Sequence, residues 1–147
     1  MSDLNQGDIF DLNRFLFMQD SLYGSIKEEL RLGRKETHWM WFVFPQYKGL
    51  GESQMASKYA IQCFDEARAY LSHPVLGRRL YECIGLVLDS GRTAEEIFGY
   101  PDYLKFRSCL TLFIEVDHKE RLFQVALDQL CGGCKDKLTL NLLASNF

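Results

Sequence analysis

The stretch HWMWFVFPQ, His38 to Gln46, decides how this chain is read. Its centre, Trp39 to Phe44, is apolar at every position. It shows neither the 3.6-residue period of an amphipathic helix nor the alternation of a half-exposed strand, so it is buried on all sides whichever backbone it takes. Pro45 biases Phe44 to extended backbone, and a short extended piece over 40–44 is expected. Around it the pattern is helical. On the N-terminal side, Asp11 is expected to cap a short helix through Phe15 and Met18. Asp20 or Ser21 then starts a second helix, with Leu22, Ile26 and Leu30 on one face and Gly33 as its stop. On the C-terminal side, helical spacing predicts segments over 54–60 and 65–71. The helix after His73-Pro74 carries the stripe Leu76, Leu80, Cys83, Ile84, Val87 and Leu88 and stops at Gly91. Thr93 with Glu96 forms a capping-box pattern. Further helices are expected from Tyr100, Leu122 and Asp136. The fold predicted is all-α, one multi-helix domain over 1–147 with a loose end at 1–8.

Length and composition bound the rest. A chain of 147 residues is one domain by size and buries roughly 68–70% of its unfolded surface without help from metals or disulfides. Hydrophobic residues at 47% and charged residues at 25% are ordinary for a globular protein. The net charge of −3 speaks against a nucleic-acid partner, which asks for a basic surface. The start has no basic segment followed by an apolar run, and no apolar run approaches the roughly 20 residues of a membrane helix. No membrane partner is expected. Five cysteines, an odd number set largely in helical patterns, fit a reduced, cytoplasmic protein.

Candidate chemistry is sparse. CGGC, Cys131 to Cys134, has no second pair or histidines at zinc spacing. It closes a helix rather than opening one, so its glycines read as a C-cap. No metal and no cofactor is expected. Of the three histidines, His118 lies in a charged turn, His73 precedes Pro74 and caps a helix or lines a pocket, and His38 leads into the aromatic run. Arg34, Lys35, His38 and Trp39 together combine two cations, a titratable donor and a stacking surface, a set suited to an anionic, ring-containing ligand. KGLGES, Lys48 to Ser53, resembles a backbone nest for phosphate with Ser53 capping the next helix. It lacks the third glycine of a dinucleotide fingerprint and the Lys-Ser/Thr ending of a P-loop. Lys105, Ser108 and Thr111 share neighbouring helical faces. Among the carboxylates Glu36, Glu52, Glu66, Asp102 and Asp136, Glu66 sits between apolar neighbours and is the one expected to be partly buried.

These blocks carry a family resemblance. GRKETHWMWFVFPQYKGLGES (33–53), EARAYLSHPVLGRRL (66–80), IFGYPDYLKFRSCLTLF (97–113) and GGCKDKLTLNLL (132–143), in this order, resemble the family catalogued as domain of unknown function 1810. Some bacterial members carry the label "calpastatin", which nothing in this compact, aromatic-rich chain supports. The resemblance implies a small, mostly helical domain with no established activity. It also implies that the polar positions of interest include Gly33, Gly49, Gly51, Gly77 and Arg78, with Asp136 and Thr139 at the end. In size, helical content and its mixture of Trp, Lys and Asp the chain is more distantly similar to the YbiA-like proteins that act on ADP-ribose derivatives. No catalytic residue aligns, so this bears on ligand class alone.

The reading that results is a pocket for a phosphorylated, ring-bearing small molecule of nucleotide or ADP-ribose type. Lys35, Arg78 and Lys105 neutralise its phosphate and Trp39 stacks on its ring. Gln46, Gly51, Ser53 and Ser108 orient it, and His38 or His73 moves a proton if it is hydrolysed. The alternative is a non-enzymatic module that binds a protein partner.

Overall fold

A computed structural model describes residues 8–145; most of the expected loose start, 1–7, lies outside them. The described residues form α1 (Asn13–Arg31), α2 (Met40–Val43), α3 (Gln54–Lys58), α4 (Phe64–Ser72), α5 (Leu76–Asp89), α6 (Ala94–Phe98), α7 (Asp102–Val116), α8 (Leu122–Cys131) and α9 (Lys137–Ser145). The one β pairing among them is an isolated parallel bridge between Tyr47 and Ile61. The all-α expectation holds. α7 is the hub: α2, α4, α6, α8 and α9 all pack on it. Its residues from Ser108 to Ile114 are buried without a break, as a helix surrounded on every side must be. α5 buries the predicted stripe except Leu88, which is half-buried, and packs on α1, α4 and α8.

Two expectations are corrected. The two short N-terminal helices are one helix of 19 residues. Nothing between Met18 and Ser21 breaks it, and Asp20 sits inside it, paired with Arg79 at 2.8 Å. Its cap comes from further back: the Asp8 carboxylate accepts the N–H groups of Leu12 at 2.7 Å and Asn13 at 3.0 Å. Over 40–44, the extended piece is instead one helical turn, Met40–Val43, with extension starting at Phe44 (φ −122°, ψ 73°) ahead of Pro45. An unbroken apolar run holds no period from which the turn could be read.

Other local signals stand as read. The Thr93–Glu96 capping box is formed from both sides. Gly132 ends α8 in the left-handed region (φ 73°), and Gly133 N–H closes back on the Leu127 carbonyl at 2.9 Å. The CGGC glycines therefore do the work of a helix C-cap.

Candidate functional site

The aromatic stretch divides its labour. Trp39 is 1% exposed, with its ring against Phe44 and Phe98. Its indole N–H donates to Glu29 at 3.0 Å. The same carboxylate accepts the N–H groups of Glu36 and Thr37 and the Thr37 hydroxyl, at 2.7, 3.0 and 2.6 Å. Burial pushes the Glu29 pKa up, but these four donors outweigh it and hold the group below its ordinary value. Trp39, expected to stack on a ligand, is thus a core residue with a satisfied polar tip. His38 is exposed and hydrogen-bonds to no described residue. The tryptophan that meets a cavity is Trp41, only partly buried.

That cavity has a volume of about 230 Å³ and lies between Trp41, the loop from Gln46 to Gly51, and the segment around Ser57 to Gln62. Its two backbone walls are tied together. Gln46 O accepts the Ile61 N–H at 2.8 Å, and Ile61 O accepts the Lys48 N–H at 3.0 Å. The loop needs its glycines. Gly49 has φ +97°, and a side chain there would meet Leu142 of α9 at 3.3 Å. A Cβ on Gly51 would lie 2.6 Å from that of Ala56. Ser53 caps α3, its hydroxyl accepting the Ala56 N–H at 3.1 Å. Among the described residues no hydrogen-bond partner meets the side chains of Gln46, Lys48 or Ser57, or the N–H groups of Gly49 and Gly51. Lys48 is the one charged residue in the lining.

Beside the cavity sits an ion triad. Lys35 Nζ is 2.8 Å and Lys105 Nζ 3.2 Å from the two oxygens of Asp102. Lys35 also lies 5.2 Å from the centroid of Trp39, and Lys105 5.1 Å from that of Trp41. Burial favours the neutral Asp102 carboxyl, but the two ammonium groups prevail and hold it below its ordinary pKa. The Lys35 side chain is 6% exposed, so its charge is committed to Asp102.

The other nominated residues are placed as follows. His73 caps α5, its Nδ1 accepting the N–H groups of Val75 at 3.1 Å and Leu76 at 3.2 Å. Arg78 is exposed on α5 near Glu82. Ser108 donates to the Leu104 carbonyl at 3.0 Å and to Asp136 at 3.1 Å. Asp136 also accepts the Thr139 N–H at 3.0 Å, so this cluster docks α9 on α7. Of the nominated set, Gln46 and Gly51 line the cavity, Ser53 caps the helix beside it, and Lys105 touches its tryptophan; His38, His73, Arg78 and Ser108 are not in the lining. Glu66, the carboxylate expected to be partly buried, is 1% exposed. Trp41, Lys48 and Gln62 were not nominated. The signal for Lys48 lay in KGLGES itself, whereas nothing separates Trp41 from Trp39 in a run without a period.

Among the described residues no His, Cys, Asp and Glu side chains gather as a metal site, and no helix is long and apolar enough to cross a membrane. No curated protein matches the chain. It is similar to a solved structure, the conserved hypothetical protein Rv1873 from Mycobacterium tuberculosis, with 51% identity and a TM-score of 0.89 over 92% of this chain and 97% of that one. Residues 9–143 match the family model described as protein of unknown function (DUF1810). A match of that extent, on the quoted blocks and the helices built from them, means that this chain belongs to the DUF1810 family.

Proposed function

We propose that the protein binds a small anionic molecule carrying one planar ring in the Trp41 cavity. The observation that carries this reading is the set of unpartnered donors there. Lys48, the N–H groups of Gly49 and Gly51 and the Gln46 amide point to an acceptor-rich, negatively charged guest. Trp41 offers the apolar wall for its ring. A volume of about 230 Å³ lies below the roughly 300–1,000 Å³ of drug-sized sites. It suits one ring with one phosphate or carboxylate better than a whole ADP-ribose. The lining holds no carboxylate and no histidine. Burial also pushes the Tyr47 phenol up, away from use as a base. Binding without hydrolysis is the better reading. The cavity with its polar lining is the observation that favours a small ligand over a protein-docking face.

The test is a thermal-shift screen with phenyl phosphate, benzoate, nucleoside monophosphates and ADP-ribose. At a hundred times its Kd a ligand adds about 2.7 kcal/mol of stability. The shift should vanish in Lys48→Ala and Trp41→Ala and persist in Arg78→Ala. No shift with any compound, or a shift that survives both cavity variants, would overturn the reading.

A further inference from the structure

One wall of the cavity, the segment from Ser57 to Gln62, is not part of a sheet, and among the described residues only Ile61 in it shares backbone hydrogen bonds with the opposite loop. We infer that Arg14 and Glu66, neither of which lines the cavity, are positioning residues that fix this wall and so set ligand affinity; this rests on the reading above. The Arg14 guanidinium has five N–H donors, and each has an acceptor. Nη1 donates to the Phe10 and Asp11 carbonyls at 2.7 and 2.8 Å. Nε donates to the Lys58 carbonyl at 2.8 Å, and Nη2 to the Ala60 carbonyl at 2.9 Å and to Glu66 at 2.7 Å. The second Glu66 oxygen accepts the Gln62 N–H at 3.0 Å. The wall is therefore held at Lys58, where α3 ends, and at the alternate residues 60 and 62 beyond it, by one ion pair with side chains 11% and 2% exposed.

The pattern is more than a generic salt bridge. Alternate pinning is what a neighbouring strand would supply, and here a planar fork on α1 supplies it. Lysine, a point charge with three donors, cannot reproduce the fork. Arg14 also lies over the Phe15 ring at 4.3 Å, which fixes its plane. Releasing the pair frees the backbone on both sides of Tyr59, a lining residue, and with it the Ile61 contacts to Gln46 and Lys48. Lys48 is the residue proposed to meet the anion.

The experiment uses Glu66→Gln, which keeps the shape of the side chain, and Arg14→Lys. Amide exchange is measured without ligand, and the Kd for phenyl phosphate is measured at a temperature where circular dichroism shows each variant folded. In the variants the Lys48, Ile61 and Gln62 amides should exchange about tenfold faster or more while α7 amides keep their protection. The Kd should rise by about tenfold. If Arg14→Lys does not fold, Glu66→Gln and the wild-type exchange pattern decide. Wild-type Ile61 and Gln62 amides no better protected than exposed loop amides would overturn the inference. So would unchanged exchange and Kd in a folded variant, or faster exchange spread evenly over α7. If wild type binds no phenyl phosphate, the ligand reading fails for this probe, and the exchange data alone judge the latch.

Discussion

Replacing Asp102 with asparagine removes one charge from the triad and almost nothing of its shape. The Lys35 ammonium, 6% exposed and 2.8 Å away, keeps an oxygen to donate to but loses its counter-charge. At 2.8 Å and an effective dielectric of about 20, the attraction is about 6 kcal/mol. Desolvating both ions offsets several kcal/mol of that. A buried hydrogen bond to a charged group is worth about 1.5–3 kcal/mol, and the net loss on Asp102→Asn should be about 2–3 kcal/mol. For a chain of this length that lowers the melting temperature by about 4–12 °C, within the usual stability of about 5–15 kcal/mol, so the variant stays folded. The pH dependence supplies the sharper check. The folded carboxyl sits below its ordinary value of 3.8, so its contribution is complete above the unfolded pKa and is lost as the pH falls through the folded one. Urea melts of wild type and Asp102→Asn should therefore differ by a constant amount from pH 7 to about pH 5, and the gap should narrow progressively as the pH falls below the carboxyl's ordinary 3.8. A gap under about 1 kcal/mol at pH 7, or one that does not narrow at all between pH 5 and pH 3, would refute the account of the triad.

Other substitutions probe different parts. Gly77→Ala places a Cβ 2.1 Å from the Leu71 carbonyl oxygen; α4 and α5 must move apart, and the urea midpoint should report a loss of about 3 kcal/mol. Asp136→Ala removes the acceptor shared by Ser108 and Thr139. It should cost about 2–3 kcal/mol, and amide exchange should accelerate first in α9.

What the sequence showed follows from where its signals are local. The capping box at Thr93, the C-cap at Gly132 and the stripe on α5 depend on residues within a turn or two of each other, and all were legible. The join between the two expected N-terminal helices was not, because Asp20 looks like a cap until Arg79, far along the chain, is seen to hold it. The same applies to the candidate site. KGLGES was readable as a nest. Lys35 read as a free cation, since its partner Asp102 is distant in sequence. The exchange of roles between Trp39 and Trp41 is set by Glu29, which takes one indole N–H into the core and leaves the other ring at the surface. The Arg14–Glu66 pair spans 52 residues and has no local trace, although the burial of Glu66 was anticipated.

The contact of Leu142 with the Gly49 site has a consequence for synthesis. The loop that bears the unpartnered donors rests on a side chain near the end of α9, so its floor is laid down after almost every other element. During N-to-C synthesis the aromatic core can assemble while this loop is still unsupported. A nascent chain in which α9 has yet to emerge can thus have most of its helices in place while the Gly49 turn still lacks the side chain it packs on.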